Sequence, residues 1–202
     1  MEEVKRKKIL VIDVCVRGEE SRTARLLDAA CRSLKAEHPE REFEFLRLPE
    51  MHLSYLDQAS LKERDGLLAK KNYDHPRFHL ARQFQEADGI IVAAPFWDLA
   101  FPAMLKVYIE NVSVDGLTFF CDEQGLHGMC RAEWMLHLTT RGGIWTEAMR
   151  QDESYLRALC TFFGIDSYHC ISAEGIDIEG LDREKILADA IEETEKLCRT
   201  LH

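Results

Sequence analysis

Short apolar runs alternate with longer stretches of helical periodicity along this chain of 202 residues. Continuous apolar positions over five to seven residues are typical of strands buried on both faces of a parallel sheet. Such runs predict strands at residues 8–14 and 88–94. Residues 42–48 alternate charged and apolar positions, which suits a strand near a sheet edge, and residues 133–140 and 167–173 complete the five predicted strands. Apolar residues at helical spacing follow Ser21 and end before Pro39, and further helical patterns cover residues 59–70, 74–86, 156–163 and 182–198. A further helix is predicted to begin at Pro102.

The alternation of strands and helices predicts an α/β fold of the doubly wound kind, with helices on both faces of a parallel sheet. The chain contains no internal repeat, low-complexity segment or linker. Its length fits one large domain better than two, so we expect residues 1–202 to form a single domain.

Charge and cysteine content exclude several classes of function. The net charge of −10 argues against a nucleic-acid partner, because phosphate neutralisation needs clustered basic residues. The apolar runs are far shorter than the ~20 residues of a membrane span, so no membrane association is expected. The seven cysteines include no C-x-x-C pair, which predicts reduced thiols and a cytoplasmic protein. We predict no metal site, since His75 with His79, and Cys121 with His127 and Cys130, are better interpreted without one.

Three polar loops follow predicted strands, and a sheet of this kind binds ligands at the carboxyl ends of its strands. In the first loop, Ser21 and Thr23 offer hydroxyls and Arg17 and Arg22 offer positive charge. With the free N–H groups of a helix start, these side chains could bind a phosphate monoester. The alternative is that Ser21 only caps the helix, the usual role of serine at such a position.

The second loop contains two adjacent aromatic residues, and the third contains two adjacent glycines. Phe96 and Trp97 come directly after a buried strand, where they could lie flat against a ring ligand, cover the end of the sheet or form a subunit interface. Gly142 and Gly143 allow a backbone to approach a ligand closely, and Arg141 adds charge. The alternative for this glycine pair is a plain tight turn.

Several of these residues recur together in one known family. The chain resembles the FMN-dependent NADH azoreductase and NAD(P)H quinone reductase family over residues 9–26, 87–117 and 139–143. Residues 116–120, 123–125 and 173–177 match further motifs in the same order, so the resemblance runs from residue 8 to about residue 177. It implies a flavodoxin-like fold with a five-stranded parallel sheet of order 2-1-3-4-5. It also implies a homodimer with two FMN sites at its interface, and ping-pong hydride transfer from NADH or NADPH to a small-molecule electron acceptor of quinone or azo type.

The resemblance also implies roles for individual residues. The phosphate would be held in the loop of Cys15, Arg17, Ser21, Arg22 and Thr23; the ribityl chain and ring would be lined by Pro95, Phe96, Trp97 and Asp98; the polar edge of the ring would meet Thr140, Arg141, Gly142 and Gly143; and Phe119 and Phe120 would lie in a hairpin over the substrate pocket. No side chain is expected to be a catalytic base, because the flavin carries the chemistry.

Two positions depart from the family pattern. Cys15 stands where the family usually has Ser, and a thiol is a weaker phosphate donor. Asp98 stands where Asn is common, and an ionised carboxylate accepts but cannot donate a hydrogen bond. Two alternatives stand beside the enzyme, namely a flavodoxin-like electron carrier and a non-catalytic flavin-binding or regulatory domain, and these departures keep the second one open.

Overall fold

The computed structural model describes residues 6–202, so Met1 to Lys5 of the expected single domain lie outside the described part. In chain order its strands are β1 (Lys8–Asp13), β2 (Glu42–Arg47), β3 (Gly89–Ala93), β4 (Phe119–Asp122), β5 (Gly125–Gly128), β6 (Trp134–Arg141) and β7 (Ser167–Glu174). Five of them form a parallel sheet of order β2-β1-β3-β6-β7, whereas β4 and β5 form a separate antiparallel hairpin.

The predicted five-stranded parallel sheet is confirmed, and each of its strands lies within one residue of the expected bounds. The expected order of 2-1-3-4-5 numbered only these strands. The observed order is written differently because the two hairpin strands come between β3 and β6 along the chain.

The helices are α1 (Arg22–Glu37), α2 (Leu48–Met51), α3 (Gln58–Ala69), α4 (His79–Glu86), α5 (Ala103–Val112), α6 (Gln151–Phe163) and α7 (Arg183–Cys198). Helices α1 and α7 cover one face of the sheet, and α4, α5 and α6 cover the other. Because adjacent residues of a strand point to opposite faces, β1 contributes Ile9 and Val11 to the first core and Leu10 and Ile12 to the second. Within residues 6–202, no helix is long and apolar enough to cross a membrane.

Local chemistry explains where the helices begin and end. The Ser21 hydroxyl accepts a hydrogen bond from the N–H of Ala24 at 3.3 Å and so caps α1. Helix α6 ends at Gly164, which has a φ of +76°. The helix expected from residue 74 begins only at His79, because Pro76 opens a 3-10 turn in front of it.

Candidate functional site

A cleft lies at the carboxyl edge of the sheet, where the loops after β1, β3 and β6 meet. A fourth segment, after β7, closes one side of it. The residues that line the cleft are Val16, Arg17, Glu20, Ser21, Arg22, Thr23, Pro95, Phe96, Trp97, Thr140, Gly142, Ile176 and Asp177. The three loops singled out in the sequence therefore contribute to one site.

Direct hydrogen bonds hold the loops together. The hydroxyls of Thr23 and Thr140 lie 2.7 Å apart, which joins the start of α1 to the end of β6. The N–H of Phe96 donates to the carbonyl of Thr140 at 3.3 Å, and the N–H of Asp177 donates to the carbonyl of Gly142 at 3.0 Å. The other three segments thus bond to residues 140–142 at the end of β6, and the shape of the cleft depends on that short stretch.

The start of α1 forms the polar corner of the cleft. The Ser21 hydroxyl caps the helix, as the alternative interpretation expected, but a capping hydroxyl accepts with its oxygen and keeps its own proton to donate. The N–H groups of the first helical residues, Arg22 and Thr23, have no partner within the helix. Capping and anion binding are therefore compatible at Ser21.

Charges at this corner are balanced between the two signs. Arg17 and Arg22 line the cleft together with Glu20 and Asp177. The guanidinium of Arg22 lies 2.9 Å from the carboxylate of Asp177, and both side chains are partly exposed. Because two basic and two acidic side chains offset one another, directed hydrogen bonds must provide most of the affinity for an anion.

The aromatic side of the cleft is built by a tight turn after β3. The N–H groups of Trp97 and Ala100 bond each other's carbonyl oxygens at 3.1 Å and 2.8 Å. Between them, Asp98 and Leu99 have φ values of +50° and +68°, an uncommon backbone conformation for such residues. The turn leaves the large Trp97 side chain 43% exposed at the cleft, beside the half-buried Phe96.

Six of the residues expected at the site do not line the cleft, and the first three are Cys15, Asp98 and Gly143. Cys15 is 2% exposed, and its thiol donates toward the carbonyl of Ala93 at 3.7 Å. Burial raises the pKa of this thiol to about 12, so it stays neutral and faces the core rather than an anion. Asp98 lies in the tight turn and is exposed, and Gly143 follows the lining residues by one position.

Arg141 is the clearest correction among the loop residues. Its side chain is fully buried, and its guanidinium lies between the carboxylates of Asp152 (2.8 Å), Glu153 (2.7 Å) and Glu174 (2.6 Å). Burial opposes the charge, but these three partners hold the pKa of Arg141 above its ordinary value. The expectation that Arg141 adds positive charge to the cleft is wrong, because those carboxylates already neutralise its guanidinium inside the protein.

Phe119 and Phe120 also lie elsewhere. Their hairpin follows α5, which runs back from the cleft to the opposite, amino edge of the sheet. The ring of Phe119 lies 4.3 Å from that of Phe162 at the end of α6. The chain then reaches the amino ends of β6 and β3, where the N–H of Glu133 bonds to the carbonyl of Asp88. The hairpin therefore does not cover the cleft of its own chain, because α5 carries it to the far edge.

Sequence reasoning missed four lining residues, namely Val16, Glu20, Ile176 and Asp177. The stretch of residues 173–177 carried a signal, since it contributes to the family resemblance, but no role was attached to it. Glu20 gave no signal, because an acidic side chain beside an expected phosphate site runs against the simplest electrostatic argument.

Comparison with known proteins gives consistent results over almost the whole chain. A family model described as a flavodoxin-like fold matches residues 7–197. The chain is 32% identical over 194 residues to an FMN-dependent NADH:quinone oxidoreductase of Clostridium beijerinckii, covering 95% of this chain and 98% of that protein. It is 34% identical over 186 residues to FMN-dependent NADH:quinone oxidoreductase 2 of Clostridium acetobutylicum, covering 89% and 91%.

Solved structures show the same fold. An azoreductase from Bacillus anthracis superposes with a TM-score of 0.86 at 24% identity, covering 96% of this chain and 99% of that one. An FMN-dependent NADH-azoreductase from Bacillus anthracis, determined in complex with FMN, superposes with a TM-score of 0.85 at 22% identity, covering 97% and 100%.

Proposed function

This chain belongs to the family of flavodoxin-like fold whose model matches residues 7–197, and on that premise we propose that it is an FMN-dependent NAD(P)H oxidoreductase. Its acceptors are quinone- or azo-type compounds, the classes named in its relatives. The observation that carries the proposal is the convergence of three loops on one cleft with a polar corner and an aromatic wall.

The residues of the cleft fit a planar, phosphorylated group. The Ser21 hydroxyl and the first N–H groups of α1 bind the phosphate, with the guanidinium of Arg22 beside them. Phe96 and Trp97 supply flat apolar surface for the ring. At Gly142 an added Cβ would lie 2.7 Å from Asp177 Oδ2, so glycine keeps the cleft open there.

When bound, FMN would supply the chemistry that moves a hydride from NADH or NADPH and two electrons on to the acceptor. The protein binds and orients the participants, and no side chain of the cleft serves as a proton-abstracting base. Thr140 fixes the geometry of the cleft, because its hydroxyl holds the start of α1 and its carbonyl holds the loop of Phe96. Cys15, Asp98 and Gly143 support this frame and do not contact the flavin directly.

The position of the hairpin supports a homodimer. Phe119 and Phe120 can take part in acceptor binding only at the cleft of a second copy, since they lie at the far edge of their own sheet. Each copy would thus complete the pocket of the other. We further propose that residues 1–202 act as one domain and that the protein works in the reducing cytoplasm, where seven unpaired cysteines are ordinary.

The proposal is tested by following NADH oxidation by the FMN-loaded protein with a naphthoquinone or an azo dye. We expect turnover that requires both FMN and the acceptor, and parallel assays with NADPH give the donor preference. An electron carrier would instead bind FMN without oxidising NADH at a catalytic rate. Absence of turnover with every acceptor, in protein shown to hold FMN, would reject the enzyme.

A further inference from the structure

The buried Arg141 lies at the centre of a network of charged side chains next to the cleft. Asp152 is 1% exposed, and Glu153 and Glu174 are each 20% exposed at the side chain. Arg150 approaches the same two glutamates, at 3.5 Å and 3.8 Å. The network joins the end of β6 to the first turn of α6 and the end of β7.

A general contribution to folding does not require this arrangement. A buried ion pair is often no better for stability than well-packed apolar side chains of similar volume. What a network of charged groups adds is direction, since a planar guanidinium with three carboxylate partners allows one orientation.

Three contacts connect Arg141 to the cleft wall. Its chain neighbours Thr140 and Gly142 both line the cleft. Its backbone carbonyl accepts from the N–H of Ile176, another lining residue, at 3.3 Å. Its guanidinium lies 5.2 Å from the centre of the Phe96 ring, within the range of a cation–π contact.

The carboxylates hold the guanidinium from behind, and the Phe96 ring lies over it. A shift of Arg141 would therefore move the backbone at Thr140 and Gly142 together with the aromatic wall. These are the parts of the cleft that meet the ring in the proposed function. The phosphate corner at Ser21 has no direct contact with the network among the hydrogen bonds and ion pairs of the described residues.

We propose that Arg141 and Asp152 form a positioning pair that sets the Phe96 ring and the turn of residues 140–142 against the isoalloxazine of FMN. Neither side chain touches the flavin. This inference rests on the proposed function, since it assigns a role toward the same cofactor.

The test compares Asp152→Asn with the matched change Asp189→Asn. Asp189 lies in α7, and its carboxylate pairs with Lys185 at the same 2.8 Å distance, but that pair is exposed on the surface. FMN dissociation constants are measured by fluorescence quenching. The visible absorption spectrum of bound FMN is then recorded at saturation, so that a change in affinity alone cannot alter it.

We expect Asp152→Asn to weaken FMN binding at least about tenfold and to shift the absorption bands of the saturated protein, because the wall no longer holds its geometry. Asp189→Asn should match the wild type in both measurements. A merely structural role for Asp152 would lower thermal stability but leave the spectrum of the fully loaded protein unchanged.

Glu174→Gln provides a second, milder variant if Asp152→Asn does not fold, because Glu174 contacts the other guanidinium nitrogen and is partly exposed. It should shift the spectrum in the same sense. Wild-type affinity and spectrum in the folded variant would overturn the positioning role and leave the proposed function intact. Failure of the wild-type protein itself to bind FMN is a different result, which would overturn the proposed function and this inference with it.

Discussion

Replacing Arg22 by Glu reverses the charge at the start of α1, where we place the phosphate of FMN. Loss of a hydrogen bond to a charged group costs about 1.5–3 kcal/mol. A new carboxylate about 4 Å from the phosphate adds a repulsion between about 1 kcal/mol in water and about 4 kcal/mol near a protein surface. Because the side chain of Arg22 is 30% exposed, we take the lower part of that range. The sum of about 3–5 kcal/mol corresponds to a roughly 100- to 4,000-fold weaker FMN affinity.

Arg25→Glu is the matched control for this change. Arg25 lies in the same helix, pairs with the exposed Glu184 at 3.1 Å and does not line the cleft. Because an exposed ion pair contributes about 0–1 kcal/mol, this variant should keep FMN affinity within about fivefold of the wild type. Both are measured by titrating apoprotein into FMN and following flavin fluorescence, after thermal unfolding has shown that each variant is folded. Equal affinities for the two variants would refute the assignment of the phosphate to this helix start.

Three further predictions follow from local geometry. Gly142→Val should weaken FMN binding in a folded protein, because its Cβ would lie 2.7 Å from the flexible carboxylate of Asp177; unchanged affinity in a fluorescence titration would make the glycine pair a plain turn. Burial lowers the pKa of His137 to about 3, whereas the unfolded chain binds the proton near the ordinary value of 6.5. Stability should therefore be full above pH 6.5 and fall by about 1.4 kcal/mol per pH unit below it, about 2 kcal/mol by pH 5. Urea unfolding at pH 7.5 and pH 5 should show that loss in the wild type but not in His137→Gln, and equal losses in both would contradict the assignment. Gly128→Ala should lower stability by about 1–3 kcal/mol, because its Cβ would overlap the backbone of Gly164, while FMN affinity stays that of the wild type. A loss of FMN affinity in this variant would show that the hairpin takes part in holding the flavin.

The sheet could be predicted from the sequence because its signal is local. Residues 8–14 and 88–94 are apolar at every position that a doubly covered strand must bury, and both strands appear within one residue of the expected bounds. The cleft followed from the same signal, since parallel strands place their carboxyl ends at one edge. Phe96, Ser21 and Gly142 needed only their position after a strand to be placed there.

The orientation of individual side chains could not be predicted from the local pattern of apolar and polar residues. Arg141 stands in a loop motif that suggests an exposed charge, but its partners Asp152 and Glu174 are 11 and 33 residues away in the chain. Their arrangement depends on how α6 and β7 pack against β6. The direction of the Cys15 thiol could not be predicted for a similar reason, because the thiol is directed toward the carbonyl of Ala93 on the neighbouring strand.

The hairpin shows a different limit. Its motif was recognised and placed over the substrate pocket of an expected homodimer, but the sequence did not say whether the hairpin and the pocket belong to the same chain. The direction of α5 carries Phe119 to the opposite edge, so the motif and the cleft can meet only between two copies. A single sequence contains no local signal that separates a contact within a chain from one between chains.

A crystal structure of the FMN-loaded protein would show directly whether the three loops bind one FMN. We expect phosphate density within hydrogen-bond distance of Ser21 and of the first N–H groups of α1, with the flavin ring between Trp97 and Gly142. Flavin density at any other place on the molecule, or a cleft that stays without it in crystals grown from FMN-saturated protein, would contradict the claim.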